Sequence, residues 1–141
     1  MTIAASKTFL KIGEVAARSG LSVKTIRYYE EIGLLAPTVE RSQAGYRLFQ
    51  EKVLGRLAFI KRSQSLGLSL NDIQGILQVH DQGQLPCGEV KQSLQAKLTI
   101  ISDQIAALEI LKAELQGILS GWDEQPLLPQ SAQTICPNLQ R

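Results

Sequence analysis

The stretch SVKTIRYYE places Lys24, Arg27 and Tyr28 at positions i, i+3 and i+4, which is one face of a helix. Val23 and Ile26 share an inward, apolar face. A lysine and an arginine presented together reach phosphates, and an arginine also bonds a guanine edge bidentately in a major groove. A tyrosine donates its hydroxyl to a phosphate while its ring packs on a core. Taken alone, an ordinary solvated amphipathic helix accounts for the same pattern. A second set follows closely. Arg41, Tyr46 and Arg47 surround the loop RSQAG, in which Gly45 allows a tight hairpin. Helix and hairpin together can grip a groove and its flanking phosphates; solvated loop charge is the alternative for Arg41 and Arg47.

The chain has two thiols. Cys87, in PCGE, stands at the start of a long helical pattern, where the positive helix end favours thiolate over thiol. That suits a metal ligand or a reactive thiol; a small residue near a helix cap is the competing reading. Cys136, in TICPNL, is on its own an idle thiol in a tail. Two cysteines in a chain read as cytoplasmic are reduced thiols rather than a disulfide. The lone His80 reads as a solvated helix end, and Trp122 as a core or lid residue. No nucleophile has a neighbouring base, no phosphate loop is present, and no paired carboxylates share a credible pocket, so an enzyme is not expected.

The elements that must position these residues follow from apolar spacing and stop signals. Residues 10–19 read as a helix with Ile12, Val15 and Ala16 inward and Gly20 as its stop. Ser22 caps a second helix through Ile32, ended by Gly33. Two short helices around Gly20 make a helix-turn-helix. Residues 36–49, with Pro37, Val39, Gly45, Tyr46 and Leu48, read as a two-stranded wing. Residues 50–65 read as a helix stopped by Gly67, and SLND, from Ser69, as a capping-box start for another through Val79. After a break at 82–88, residues 89–120 read as one helix with Val90, Leu94, Leu98, Ile101, Ile105, Leu108, Leu111, Leu115 and Leu119 in a stripe. No earlier segment is long enough to cover that stripe, so a partner chain in a two-stranded coiled coil is expected; packing on the protein's own body is the alternative. Residues 121–141 read as a loop or tail.

Of the 141 residues, 44% are hydrophobic, enough for a packed core. The net charge of +2 hides an asymmetry. Residues 1–70 hold eleven Lys/Arg against five Asp/Glu, a net +6, and residues 71–141 hold four against eight, a net −4. Only the front half is thus matched to a polyanion. The start, MTIAASKTFLK, lacks the apolar core of a secretory signal. No apolar run approaches the roughly 20 residues that span a bilayer. The expected location is cytoplasmic, with no membrane partner.

In the order IGEVA, TIRYYE-x-x-GLL, R-x4-YR and LGLSL-x-x-I, residues 9 to about 120 closely resemble the MerR family of transcriptional regulators. The resemblance implies a mainly α fold: a winged helix-turn-helix DNA-binding domain with connecting helices (9–80), an antiparallel coiled-coil dimerisation helix (87–120) and a C-terminal effector loop (121–141). It carries DNA contacts to Lys24, Arg27, Tyr29, Arg41, Tyr46 and Arg47, favouring Tyr29 where helical spacing favours Tyr28. It also implies a homodimer on a palindromic promoter, where an effector changes the angle between the two heads. The bent DNA is then untwisted for RNA polymerase. In the metal-sensing branch of the family, Cys136 before Pro137 matches a loop ligand and Cys87 matches the ligand at the start of the partner's long helix. The latter accompanies sensors of divalent mercury, lead, zinc or cadmium. One departure is that GWDE, from Gly121, stands where a further loop cysteine is usual. Two thiolates suit a soft ion of low coordination number, mercury above all. Tetrahedral zinc would need added ligands, for which Asp123, Glu124 and His80 are candidates. The four clustered cysteines of an iron–sulfur member are absent. A regulator sensing oxidation or electrophiles through Cys87 and Cys136, and a coiled-coil interaction module that does not bind DNA, are the alternatives.

Overall fold

The structure is a computed structural model describing residues 9–128 and 132–140. The segment read as lacking a secretory signal (1–8) and parts of the expected loop (129–131 and 141) lie outside the described residues. Two compact units divide within the long helix, at residues 95 and 96.

The first unit begins with β1 (Phe9–Leu10), followed by α1 (Ile12–Ser19) and α2 (Val23–Glu31). Gly20 turns the chain between the helices with φ 75°, a left-handed conformation natural to glycine. The Ser22 hydroxyl accepts from the Thr25 amide at 3.1 Å and starts α2 as a cap. A 3-10 turn over Ala36–Thr38 leads into β2 (Val39–Arg41) and β3 (Arg47–Gln50). Leu10 thus lies in a strand where a helix start is expected from periodicity. Leu10 pairs with Phe49 in the antiparallel register, so an apolar residue reads equally well as strand once its partner is supplied. The wing is three-stranded, in the order β1-β3-β2.

Next come α3 (Val53–Ser65) and α4 (Leu70–Asp81). Ser69 and Asp72 close a reciprocal capping box at the start of α4. The core gathers Val15 and Ile26 from α1 and α2, Leu34 and Leu35 from the turn after α2, Phe49 from the sheet, and Val53, Leu57, Ile60, Ile73 and Ile76 from α3 and α4. Val90 packs against this core from the first turns of α5 (Cys87–Ser120).

Among the described residues, one charged side chain enters that interior. Arg56 shares the inward face of α3 and is 9% exposed. Its Nε donates to the Leu34 carbonyl, just past the end of α2. Its Nη1 and Nη2 donate to Asp81 Oδ1 and Oδ2 at 2.6 and 3.0 Å, at the end of α4. The hydrogen bond from Arg56 holds the Asp81 carboxyl below its ordinary value of 3.8, against partial burial, which raises it, and with help from the positive charges of Arg56, His80 and Lys52.

In the second unit, residues 96–120 of α5 carry their apolar stripe bare. Leu98, Leu108 and Leu119 are 64, 64 and 66% exposed, and no residue of α5 is buried. At about 1.5 Å per residue, the 34 residues of α5 run for about 50 Å. Beyond it the chain turns back. Asn138 accepts from the Asp123 amide and donates to the Asp123 carbonyl, both at 2.8 Å. No helix among the described residues is long and apolar enough to cross a membrane.

A carboxyl lowered in the folded state contributes stability above its unfolded value and loses it as pH falls through the folded value. Asp81→Asn is therefore expected to lower urea stability at neutral pH. It should also flatten the loss of stability that the parent chain shows below about pH 4. Parallel acid profiles for the two proteins would contradict the pairing.

Candidate functional site

The cations expected at the site lie on two supports. Lys24 and Arg27 project from α2, both exposed, and make no hydrogen bond or ion pair among the described residues. The wing supplies Arg41 from β2, Tyr46 from the loop and Arg47 from the start of β3. Ser42 shapes that loop, with its hydroxyl accepting from the Tyr46 amide at 3.1 Å and its own amide donating to the Tyr46 carbonyl at 2.9 Å. Gly45 takes φ 85° at the tip, the left-handed geometry a tight hairpin needs. Arg41 Nη1 donates to the Gly45 carbonyl at 3.1 Å, and Tyr46 is 70% exposed.

Arg47 is not free. Its Nε donates to Glu30 Oε2 at 2.9 Å, joining the wing to the last turn of α2. Between these supports lies a cavity of about 500 Å³, whose walls include Lys11, Arg27, Ser42, Gly45, Tyr46 and Arg47. The fold therefore brings Arg27, Tyr46 and Arg47 to one groove and adds Lys11. Lys24, Tyr29 and Arg41 are not among its walls.

The two tyrosines of α2 differ. Tyr28 is 49% exposed, whereas Tyr29 is 6% exposed and donates its hydroxyl to Gln64 Oε1 of α3. Burial pushes the Tyr29 phenol up, and the neighbouring Tyr28 adds to the effect. The ring of Tyr29 is thus a core residue whose polar tip faces α3, a geometry that helical spacing alone does not distinguish from its neighbour's.

Cys87 is the first residue of α5 and is exposed. It lines a second cavity of the first unit, about 480 Å³, together with Phe59, Ile76, His80 and the Arg56–Asp81 pair. Cys136 belongs to the second unit and is half-buried. Gln140 holds its turn: Oε1 accepts from the Ile135 and Cys136 amides at 2.6 and 2.9 Å, and the Gln140 amide donates back to the Cys136 carbonyl at 3.1 Å. Asp123 Oδ1 accepts from the Gln125 amide at 3.0 Å. Among the described residues no group of three or more His, Cys, Asp or Glu is gathered to hold a metal ion.

Residues 10–79 match the model of the MerR HTH family regulatory protein, and residues 54–118 match that of MerR, DNA binding. The chain belongs to the MerR family. It is a DNA-binding transcriptional regulator, in a family of regulators rather than enzymes. The mercuric resistance operon regulatory protein of Bacillus cereus is 37% identical, over 77% of this chain and 81% of that one. The transcription regulator PbrR691 from Ralstonia metallidurans CH34, solved in complex with lead(II), is 32% identical with a TM-score of 0.71, covering 84% of this chain and 91% of that one. HiNmlR, a family regulator lacking the sensor domain and solved bound to promoter DNA, is 27% identical with a TM-score of 0.53, covering 80% and 89%. The relatives of this MerR-family chain thus include metal-responsive regulators.

Sequence reasoning missed Glu30, Lys11, Arg56 and Asp81. Arg56 had a signal: it sits three residues after Val53 and four before Ile60, an inward position on α3 where an apolar residue is the default. Nothing local marks Glu30 as the partner of Arg47.

Tyr29→Phe is expected to lower unfolding stability by about 1 kcal/mol through the lost bond to Gln64. Tyr28→Phe should stay within about 0.5 kcal/mol of the parent. Equal effects in urea unfolding would contradict the difference in burial.

Proposed function

We propose that this protein binds a palindromic promoter as a homodimer and activates transcription on sensing a thiophilic, divalent metal ion. The observation that carries the DNA-binding part is the groove lined by Arg27, Tyr46 and Arg47, built on a helix-turn-helix and wing. In this reading residues 9–80 are the DNA-binding head, residues 87–120 pair two chains, and residues 121–141 are the effector loop. Lys24, Arg27, Arg41, Tyr46 and Arg47 contact DNA, and Arg47 does so while braced by Glu30. Tyr29 reaches a phosphate by its hydroxyl edge, beside Gln64.

The bare stripe of α5 supports pairing, because an exposed apolar row of this length in water is stabilised by a second copy. Paired antiparallel, two heads address two half-sites. Metal binding changes the angle between them, and the duplex responds by bending and untwisting until RNA polymerase can engage it. Such a regulator works in the cytoplasm, where its promoter is.

The proposed metal ligands are Cys87 of one protomer and Cys136 of its partner. The donor chemistry fits a soft ion of low coordination number. Both sulfurs are free thiols, and neither unit gathers three ligands of its own among the described residues. Mercury(II) is the best match, and lead, zinc or cadmium would need oxygen or nitrogen ligands in addition. A regulator that senses oxidation through the same two thiols is the second reading, supported by the exposure of Cys87.

Arg27→Ala should weaken binding to a promoter duplex by about 1–3 kcal/mol and reduce the salt slope by about one; unchanged binding in a salt titration would remove α2 as the recognition helix. Cys87→Ser and Cys136→Ser should each abolish transcriptional induction by Hg(II), Pb(II) or Zn(II) while leaving duplex affinity intact. Continued induction in both variants would overturn the thiol site.

A further inference from the structure

We propose that the Arg56–Asp81 pair is the positioning device through which occupation of Cys87 is transmitted to the recognition helix. The inference rests on the metal-sensing reading above and deepens it.

Three features carry it. First, the pair is a link rather than a packing unit. One guanidinium joins the carbonyl of Leu34, three residues past the end of α2, to the terminal carboxylate of α4. A buried ion pair is a weak source of stability compared with an apolar residue of the same volume, so stability does not account for an arginine at this inward position. Second, Asp81 stands at the C-terminal end of α4, where a carboxylate opposes the helix dipole. Its placement is unfavourable to the helix and is compensated by Arg56. Third, Cys87 follows Asp81 by only six residues, and both line the same cavity of about 480 Å³ with Arg56.

That cavity supplies room for movement. Packed interiors resist deformation, but here the last turn of α4 and the first turn of α5, while resting on the core through Leu77 and Val90, border a cavity on the side of Asp81 and Cys87. A shift of Cys87 as its sulfur takes a ligand moves the short segment 82–86 and with it Asp81. Arg56 cannot follow without changing its hold on the Leu34 carbonyl, and Leu34 is buried directly after the turn that ends α2. The link is bidentate on one side and single on the other, so displacement of the carboxylate turns the guanidinium plane as a unit.

The test uses the full-length dimer and Hg(II) as the probe. The double variant Arg56→Met with Asp81→Leu removes both charges at similar volume and avoids stranding either one in the interior. Its operator affinity without metal and its Hg(II) stoichiometry are expected to match the parent's. The ratio of transcription with and without Hg(II), about fivefold or more for typical linked sites, is expected to fall to about one. Asp81→Glu keeps the carboxylate and should restore part of that ratio. Hydrogen exchange on the unmodified protein provides the second measurement: Hg(II) should alter amide protection at residues 33–35 and 78–81.

If the parent responds to Hg(II) and the double variant responds equally, the device is wrong while the metal reading stands. Exchange changes confined to residues 86–90 and the C-terminal segment would also overturn it. A parent that ignores Hg(II), Pb(II) and Zn(II) alike sinks the metal reading first and this inference with it.

Discussion

Phe49 has no accessible surface and stands in the sheet between Leu10 on one side and Val39 on the other. Its strand also packs against α1. The wing therefore cannot swing relative to the helix-turn-helix without opening the core, which for a buried phenylalanine costs a few kcal/mol, about 3–5 when the ring is removed altogether. Everything the cations do depends on this anchoring. Arg41 and Arg47 hang from strands whose inward neighbour is clamped, Tyr46 sits in the loop that joins those strands, and Arg27 projects from a helix whose Ile26 is buried in the same core. The ion pair from Arg47 to Glu30 adds a lateral tie between these two supports. Electrostatic attraction to a duplex is non-specific by itself; in the proposed complex, rigid spacing between helix and wing would convert it into a fixed register on the phosphates.

Against that rigid head stands an α5 whose leucines and isoleucines are left in solvent. The contrast has a functional sense in the proposed dimer. Each head is stable by its own core, while the stripe is satisfied only by a second chain. An angle between two rigid heads is a quantity that a ligand near the head–helix junction can change without unfolding either. Cys87, the cavity it lines and the Arg56–Asp81 link lie where α4 ends and α5 begins, the place where the proposed change would act.

Much of this was legible in the residues themselves. Ser22 and Ser69 cap the helices they were expected to cap, and Gly20 turns the chain between α1 and α2. These signals are local, because the physics of a cap or a turn involves residues three or four apart. The features that were not legible are all non-local. Residues 9–10 are a strand because β3 lies beside them, Tyr29 is buried because α3 covers it, and Arg47 is bonded because Glu30 is near. Arg56 takes an inward position on α3, and only the fold supplies Asp81, 25 residues later, to neutralise it. The turn around Cys136 lies in the segment expected as a loop or tail. Its order comes from Asn138 reaching back to Asp123 and from Gln140 closing on the Cys136 amide, pairings that composition does not reveal.

The most direct measurement of the central claim is sedimentation of the chain with a fluorescent promoter duplex across a series of salt concentrations. The account predicts two chains per duplex, with the logarithm of affinity falling linearly as the logarithm of salt rises. One chain per duplex, or an affinity indifferent to salt, would contradict it.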